Sequence, residues 1–313
     1  GLAHEVFDGR PVIGICNYWS EINTCNGHLR QVAEAVKRGV LQAGGLPLEF
    51  PTISLGEPFM KPTTMLYRNL MAMDVEESIR ANPLDGVVLL CGCDKTTPAQ
   101  LMGAISADVP AIMVTGGPML SGRFQGNQVG NGTDGRKLYD KWRIGELSED
   151  EFVDLEVCIA RSTGHCNVMG TASTMTSLAE VLGMTLPGCA SIPAPDSRRL
   201  AIAEESGKRI VRMVDEDLRP SRILNRKSLE NAIVADMALG GSTNAVVHLL
   251  AIARRMGINL NLDEFDRLSR TTPFITNVKP SGQYLMEDFY YAGGLPAVIK
   301  EILPLLHGDC LTV

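Results

Sequence analysis

The sequence has no excess of positive charge. Its 29 lysines and arginines face 36 acidic residues, for a net charge of −7, which argues against a nucleic-acid partner because such a partner needs a basic face. No stretch of about 18 or more uncharged apolar residues occurs, so neither a transmembrane helix nor a membrane partner is expected. The opening residues, GLAHEVFDGRPVIG, lack a basic region followed by an apolar core, so no signal peptide is visible. With Gly1 in first place, further residues are expected before it. There is no internal repeat, low-complexity tract or charge block, and no C-x-x-C pair. The histidines, at 4, 28, 165, 248 and 307, show no metal-ligand spacing. GTDGRK (132–137) lacks the strand–GxGxxG–helix order of a dinucleotide site.

What is present is ordinary globular material. Hydrophobic residues make up 45% and charged residues 21% of 313 positions, enough for one large domain or two ordinary ones with a substantial core. Strand-like runs at 11–16, 47–53, 86–91 and 110–117 alternate with helical patterns at 28–45, 65–82 and 98–109. That rhythm predicts an α/β fold: a parallel sheet covered by helices on both faces. A Gly/Asn-rich stretch at 116–137 reads as irregular and is long for a connection. Ser148 and Glu151 have capping-box spacing for the next helix. The rest is more helical, with segments at 176–184, 198–218, 229–239, 245–257 and 295–303. We divide the chain into a first α/β subdomain (1–150) and a second, more helical one (151–313).

Eight cysteines without a secretory signal imply reduced thiols in a cytoplasmic protein. Cys16, Cys158, Cys189 and Cys310 lie in apolar or unpunctuated surroundings and read as buried small hydrophobes. Three others differ. LLCGCDKTTP (89–98) ends an apolar strand in Cys91, Cys93, Asp94 and Lys95, where open α/β sheets bind ligands. By itself it could be a polar turn with an Asp–Lys surface pair. NTCNGH (23–28) and TGHCNV (163–168) place Cys25 and Cys166 in similar polar loops, each before a helix. Three thiolates converging on one crevice suit an iron–sulfur cluster better than structural zinc, which prefers four closed ligands. GGSTNA (240–245) opens another helix; Ser242 or Thr243 can cap it or receive a substrate carboxylate or hydroxyl. His165 reads as a packing residue or a support behind Cys166, and His248 as core.

Several motifs together carry a resemblance that runs through the chain in order: TCNGH (24–28), CDKTTPA (93–99), VTGGPM (114–119), GHCNVMGTASTM (164–175), DSRR (196–199), GGSTNAVVHLLAIA (240–253) and YAGGLP (291–296). The sequence resembles the dihydroxy-acid and sugar-acid dehydratase family. CDKTTPA and GGPMLSG draw it toward the pentonate (L-arabinonate, D-xylonate) branch. The resemblance implies a 2Fe–2S cluster on Cys25, Cys93 and Cys166, and magnesium on Glu57, Asp94 and a carbamylated Lys95. Cys91 is no ligand position and reads as buried. Also implied are dehydration of a small sugar acid to a 2-keto-3-deoxy acid and a homodimer or homotetramer. The alternative substrate is a branched 2,3-dihydroxy acid of valine and isoleucine synthesis. In this family the general base is a serine in a C-terminal β-barrel domain, which this chain lacks. The chain is therefore expected to be the N-terminal part of a longer protein. Two rivals are a catalytically incomplete iron–sulfur module and a thiol-redox protein using Cys91 and Cys93.

Overall fold

The computed structural model describes residues 2–6 and 8–313. Four parallel strands form the central sheet: β1 (Val12–Asn17), β2 (Leu46–Pro51), β3 (Gly86–Cys91) and β4 (Ala111–Thr115), in the spatial order β2-β1-β3-β4. Register is fixed by pairs such as Cys16 with Leu89 and Cys91 with Thr115. Every β3 residue is buried, as expected of a strand covered on both faces.

Between the strands run α1 (Leu29–Gln42), α2 (Arg68–Arg80) and α3 (Thr96–Ala107). After β4 come a hairpin of β5 (Gly122–Phe124) and β6 (Asn127–Val129), then α4 (Thr133–Arg143) and α5 (Glu149–Ile159). The remainder is helical: α6 (Thr171–Val181), α7 (Ser197–Asp215), α8 (Pro220–Ile223), α9 (Arg226–Leu239), α10 (Asn244–Arg255), α11 (Leu262–Ser269), α12 (Met286–Tyr291) and α13 (Gly294–Ile302). Helices α1 and α7 cover one face of the sheet and α3 the other, with α2 packed against α3. Behind α3 stand α6 and α10, and α9 is packed by α6, α11 and α13. One apolar core runs from Ile13 in the first strand to Val313. Residue 150, where the sequence reading divides the chain, falls in the first turn of α5.

The expected α/β class is met, and the Ser148–Glu151 capping box forms as its spacing requires. Other expectations need correction. The 116–137 stretch is not wholly irregular: its glycines turn a short hairpin, and Thr133 starts α4. Helix α3 starts at Thr96 rather than Pro98, because Thr96 exchanges hydrogen bonds with the Cys93 backbone and proline is tolerated in a first turn. Cys158 and Cys310 are half-buried rather than core residues, whereas Cys16, Cys91 and Cys189 are buried as expected.

Helices α1 and α7 cross at two glycines. A Cβ on Gly39 would lie 1.9 Å from the Glu204 carbonyl oxygen, and one on Gly207 would lie 2.3 Å from the Val36 oxygen. Gly39→Val is expected to push the helices apart and cost about 3 kcal/mol, the upper range for overpacking, read as a lowered urea midpoint. An unchanged midpoint would show that the crossing has slack.

Candidate active site

Strand order reverses beside β1: the chain passes from β1 to β2 on one side, then to β3 on the other. The crevice beyond the carboxyl ends of β1 and β3 is therefore the expected ligand position. Gln100 of α3 bridges the two strand ends, donating to the carbonyls of Cys16 (3.1 Å) and Leu90 (3.0 Å). The loops after β1, β2, β3 and β4 all open here.

Cys25 sits in the loop after β1. Two buried asparagines flank it: Asn26 donates to the Tyr18 carbonyl (3.0 Å), and Asn23 donates to the Ser54 hydroxyl (3.1 Å). Cys93 lies just beyond β3, almost fully buried. The neighbouring Cys93 thiol raises the Cys25 thiol well above its ordinary value; burial and the charges of Cys166 and Asp94 add to this. Burial pushes the Cys166 thiol up to about 12, with Asp94 and Cys93 contributing. The Cys166 loop is tied to the chain beyond β4, since His165 N–H donates to Gly117 O (3.0 Å) and Met119 N–H to His165 O (2.9 Å). The three predicted cysteines are thus mutual electrostatic neighbours, supplied by three separate loops. Cys91 is turned into the sheet's core beside Thr97, Cys189 and Cys16.

The hard-oxygen side is built around Lys95, only 3% exposed. Its Nζ lies 3.0 Å from Glu57 Oε2 and 3.3 Å from Asp94 Oδ2. Glu57 accepts from Thr63 Oγ1 (2.7 Å), the Thr64 N–H (3.1 Å) and the Thr64 hydroxyl. Burial would raise its carboxyl, but the Thr64, Thr63 and Lys95 donors outweigh that and hold it below the usual range. Asp94 goes the other way: burial raises it, against Lys95 and the Ala172 N–H of α6.

Three helices begin at this point, α3 after Lys95, α6 beside Asp94 and α10 after Thr243, so partial positive charge faces the crevice. Of the two candidates in GGSTNA, Ser242 does the capping work, accepting from the Asn244 N–H (3.3 Å). Its hydroxyl also pairs with Thr171 Oγ1 (2.9 Å). Thr243 makes no such cap and is exposed.

Sequence reasoning missed Thr63 and Thr64, although a Thr-Thr pair shortly after LGEPF was visible. It also missed Arg199, whose guanidinium is fully buried and donates to Thr115 O (2.6 Å) and Cys189 Sγ (3.3 Å); nothing in DSRR announces that burial. His248 is buried as expected but has a polar partner, with Arg68 Nη1 donating to its Nδ1 (3.1 Å).

Among the described residues, no three His, Cys, Asp or Glu side chains form a ligand set for one ion. The donor chemistry nonetheless fits the implied groups. A two-iron cluster takes thiols spread over two metals. Magnesium takes hard oxygens, which Glu57 and Asp94 supply as a pair, with a lysine between them whose amine contributes only after becoming an anion.

Residues 10–313 match the model of the dihydroxy-acid/6-phosphogluconate dehydratase N-terminal family. A three-layer α/β scaffold with its polar crevice at the strand ends thus acquires a lineage: the chain belongs to that family. It is 58% identical over 315 residues to an L-arabinonate dehydratase of Rhizobium leguminosarum bv. trifolii, covering all of this chain and 54% of that protein. It is 45% identical over 311 residues to a D-xylonate dehydratase of Caulobacter vibrioides (99% of this chain, 52% of that protein). It is 45% identical over 321 residues to a dihydroxy-acid dehydratase of Methanothermobacter thermautotrophicus (100% and 58%). The chain spans about half the length of the curated relatives it matches. Among the described residues no helix is long and apolar enough to cross a membrane.

Three buried histidines surround the crevice in neutral form. Burial lowers His28 to about 4, and lowers His165 and His248 to about 3 each. Unfolded, each titrates near 6.5, so below that pH the unfolded chain binds protons that the folded chain refuses. Stability contributed above pH 6.5 is therefore lost as pH falls toward 4, at up to about 1.4 kcal/mol per pH unit for each histidine. In urea titrations of the metal-free chain from pH 7 to 4.5, His248→Asn is expected to lower the slope of stability against pH by up to about 1.4 kcal/mol per pH unit. An unchanged slope would mean that His248 is not buried neutral.

Proposed function

We propose that the protein to which this chain belongs is a hydro-lyase that removes water from a sugar acid, an aldonate such as L-arabinonate or D-xylonate, giving a 2-keto-3-deoxy acid. The observation that carries this reading is the meeting of Cys25, Cys93 and Cys166 with the Glu57–Lys95–Asp94 group at the carboxyl ends of β1 and β3. The higher identity to the arabinonate enzyme than to the dihydroxy-acid enzyme supports the sugar acid.

On this reading Cys25, Cys93 and Cys166 hold a 2Fe–2S cluster, and Glu57, Asp94 and carbamylated Lys95 hold Mg²⁺. Bound there, these groups supply Lewis acidity toward carboxylate and hydroxyl oxygens. Lys95 becomes an anionic oxygen donor when its neutral amine adds CO₂ and loses a proton. Its burial between two carboxylates keeps the head group where such a ligand is needed. Thr63 and Thr64 hold Glu57 in one rotamer and keep it ionised. The first turns of α3, α6 and α10 favour the substrate's carboxylate, and Ser242 and Thr243 meet its hydroxyls. The proton leaves C2, hydroxide leaves C3 as water, and the resulting enol becomes the 2-keto acid. We place the base that takes the C2 proton in the half of the relatives' length that this chain does not span.

The test uses the protein at its relatives' full length, purified without oxygen. Visible absorption and 2-keto acid formation from L-arabinonate or D-xylonate are expected. Each of Cys25→Ser, Cys93→Ser and Cys166→Ser should lose both colour and turnover. Turnover of 2,3-dihydroxyisovalerate with no turnover of any aldonate would overturn the substrate assignment. Colour retained in all three variants would overturn the ligand assignment.

A further inference from the structure

The 116–137 segment is long for a connection, and its course gives it a purpose. After β6 the chain passes Gly130, Asn131 and Gly132 and then enters α4. A Cβ on Gly130 would lie 2.8 Å from Val168 Cγ1, so this glycine permits a close approach to the Cys166 loop, and Gly132, with φ +89°, lets the chain turn from there into α4. What they bring there is the Asn131 carboxamide. Its Oδ1 lies 3.9 Å from Cys166 Sγ as acceptor, and its Nδ2 lies 3.7 Å from Met119 Sδ as donor.

The backbone beneath is clamped. The Asn131 N–H donates to Oδ1 of the fully buried Asn167 (2.8 Å). Asn167 in turn donates to Leu120 O (3.0 Å) and accepts from Met286 N–H (2.9 Å). Gly130 N–H donates to Asp134 Oδ2 (2.7 Å), and Asp134 is paired with Lys279. With its backbone held this firmly, the Asn131 carboxamide lies between two sulfurs and can turn either end toward Cys166. A thiol can donate to the carboxamide oxygen. A thiolate has no proton to give and repels that oxygen, but it accepts N–H better than a thioether does.

We propose that Asn131 is a positioning residue for Cys166: when the sulfur is a thiolate ligand, the carboxamide turns over and donates its N–H to it. This rests on the cluster reading above. Hydrogen bonds to ligand sulfur stabilise the reduced cluster and slow its loss, so the glycine-flanked detour exists to place one donor.

The full-length protein, purified without oxygen, is compared with Asn131→Asp, which keeps shape and acceptor but lacks the N–H, and with Asn131→Leu, which lacks both. Cluster reduction potential and the rate of iron loss to a chelator are read beside thermal unfolding. Both variants are expected to lower the potential and speed iron loss several-fold, with Asp at least as affected as Leu. Asn131→Asp matching wild type in both readouts would overturn the proposal, because shape alone would then suffice. If either variant fails to load iron, amide resonances of ¹⁵N-labelled wild type decide. A shift of the Asn131 side-chain signal on cluster removal supports the turnover of the amide, and an unmoved signal refutes it. A wild type without cluster would instead refute the functional reading.

Discussion

A buried ammonium is the constraint around which the site is arranged. Lys95 has lost nearly all contact with water, and a charge in that position is tolerable only with anions in reach. Glu57 and Asp94 are those anions, each fixed by further donors from other elements: threonines ahead of α2 for one, the first turn of α6 for the other. The loop after β2, the end of β3 and the start of α6 are therefore joined through one side chain. Removing it would leave two carboxylates facing each other in a space that burial already makes unfavourable for Asp94. On the proposed reading the charge at the lysine position would reverse: an ammonium there is paired with two acids, whereas a carbamate in its place would make three anionic donors.

The soft side has no such charge to bind it together. Three thiols are gathered by backbone instead. Asn23 and Asn26 shape the first loop, Thr96 the second, and the bonds between His165, Gly117 and Met119 the third. Beneath them Arg199 ties the end of β4 to the 189–192 turn by donating to carbonyls on both sides.

The sheet was legible in the sequence because its signal is local: four apolar runs of strand length, the first three each followed by a helical pattern. Cys25, Cys93 and Cys166 stood out as candidates because each stands at a strand end or helix start among small polar residues, and the structure makes them neighbours. What was hidden depends on contacts between distant positions. Asn131 and Cys166 are 35 residues apart, and Gln100 reaches a carbonyl 84 positions away. No periodicity encodes such pairs. The 116–137 stretch misled because glycine was read as absence of structure. There it permits structure, in a hairpin and in a close pass over the Cys166 loop.

The placement of α7 also governs how the chain comes together in time. Strands β3 and β4 are complete by Thr115, yet the helix that covers one of their faces ends at Asp215. At typical rates of synthesis, roughly a hundred intervening residues correspond to about 5–20 s during which that apolar face has only α1 from its own chain as cover, over β1, β2 and part of β3. The β4 side of a sheet that is buried in the finished protein thus waits for its cover while the chain is made. An edge strand in that state is open to pairing with another chain until α7 arrives.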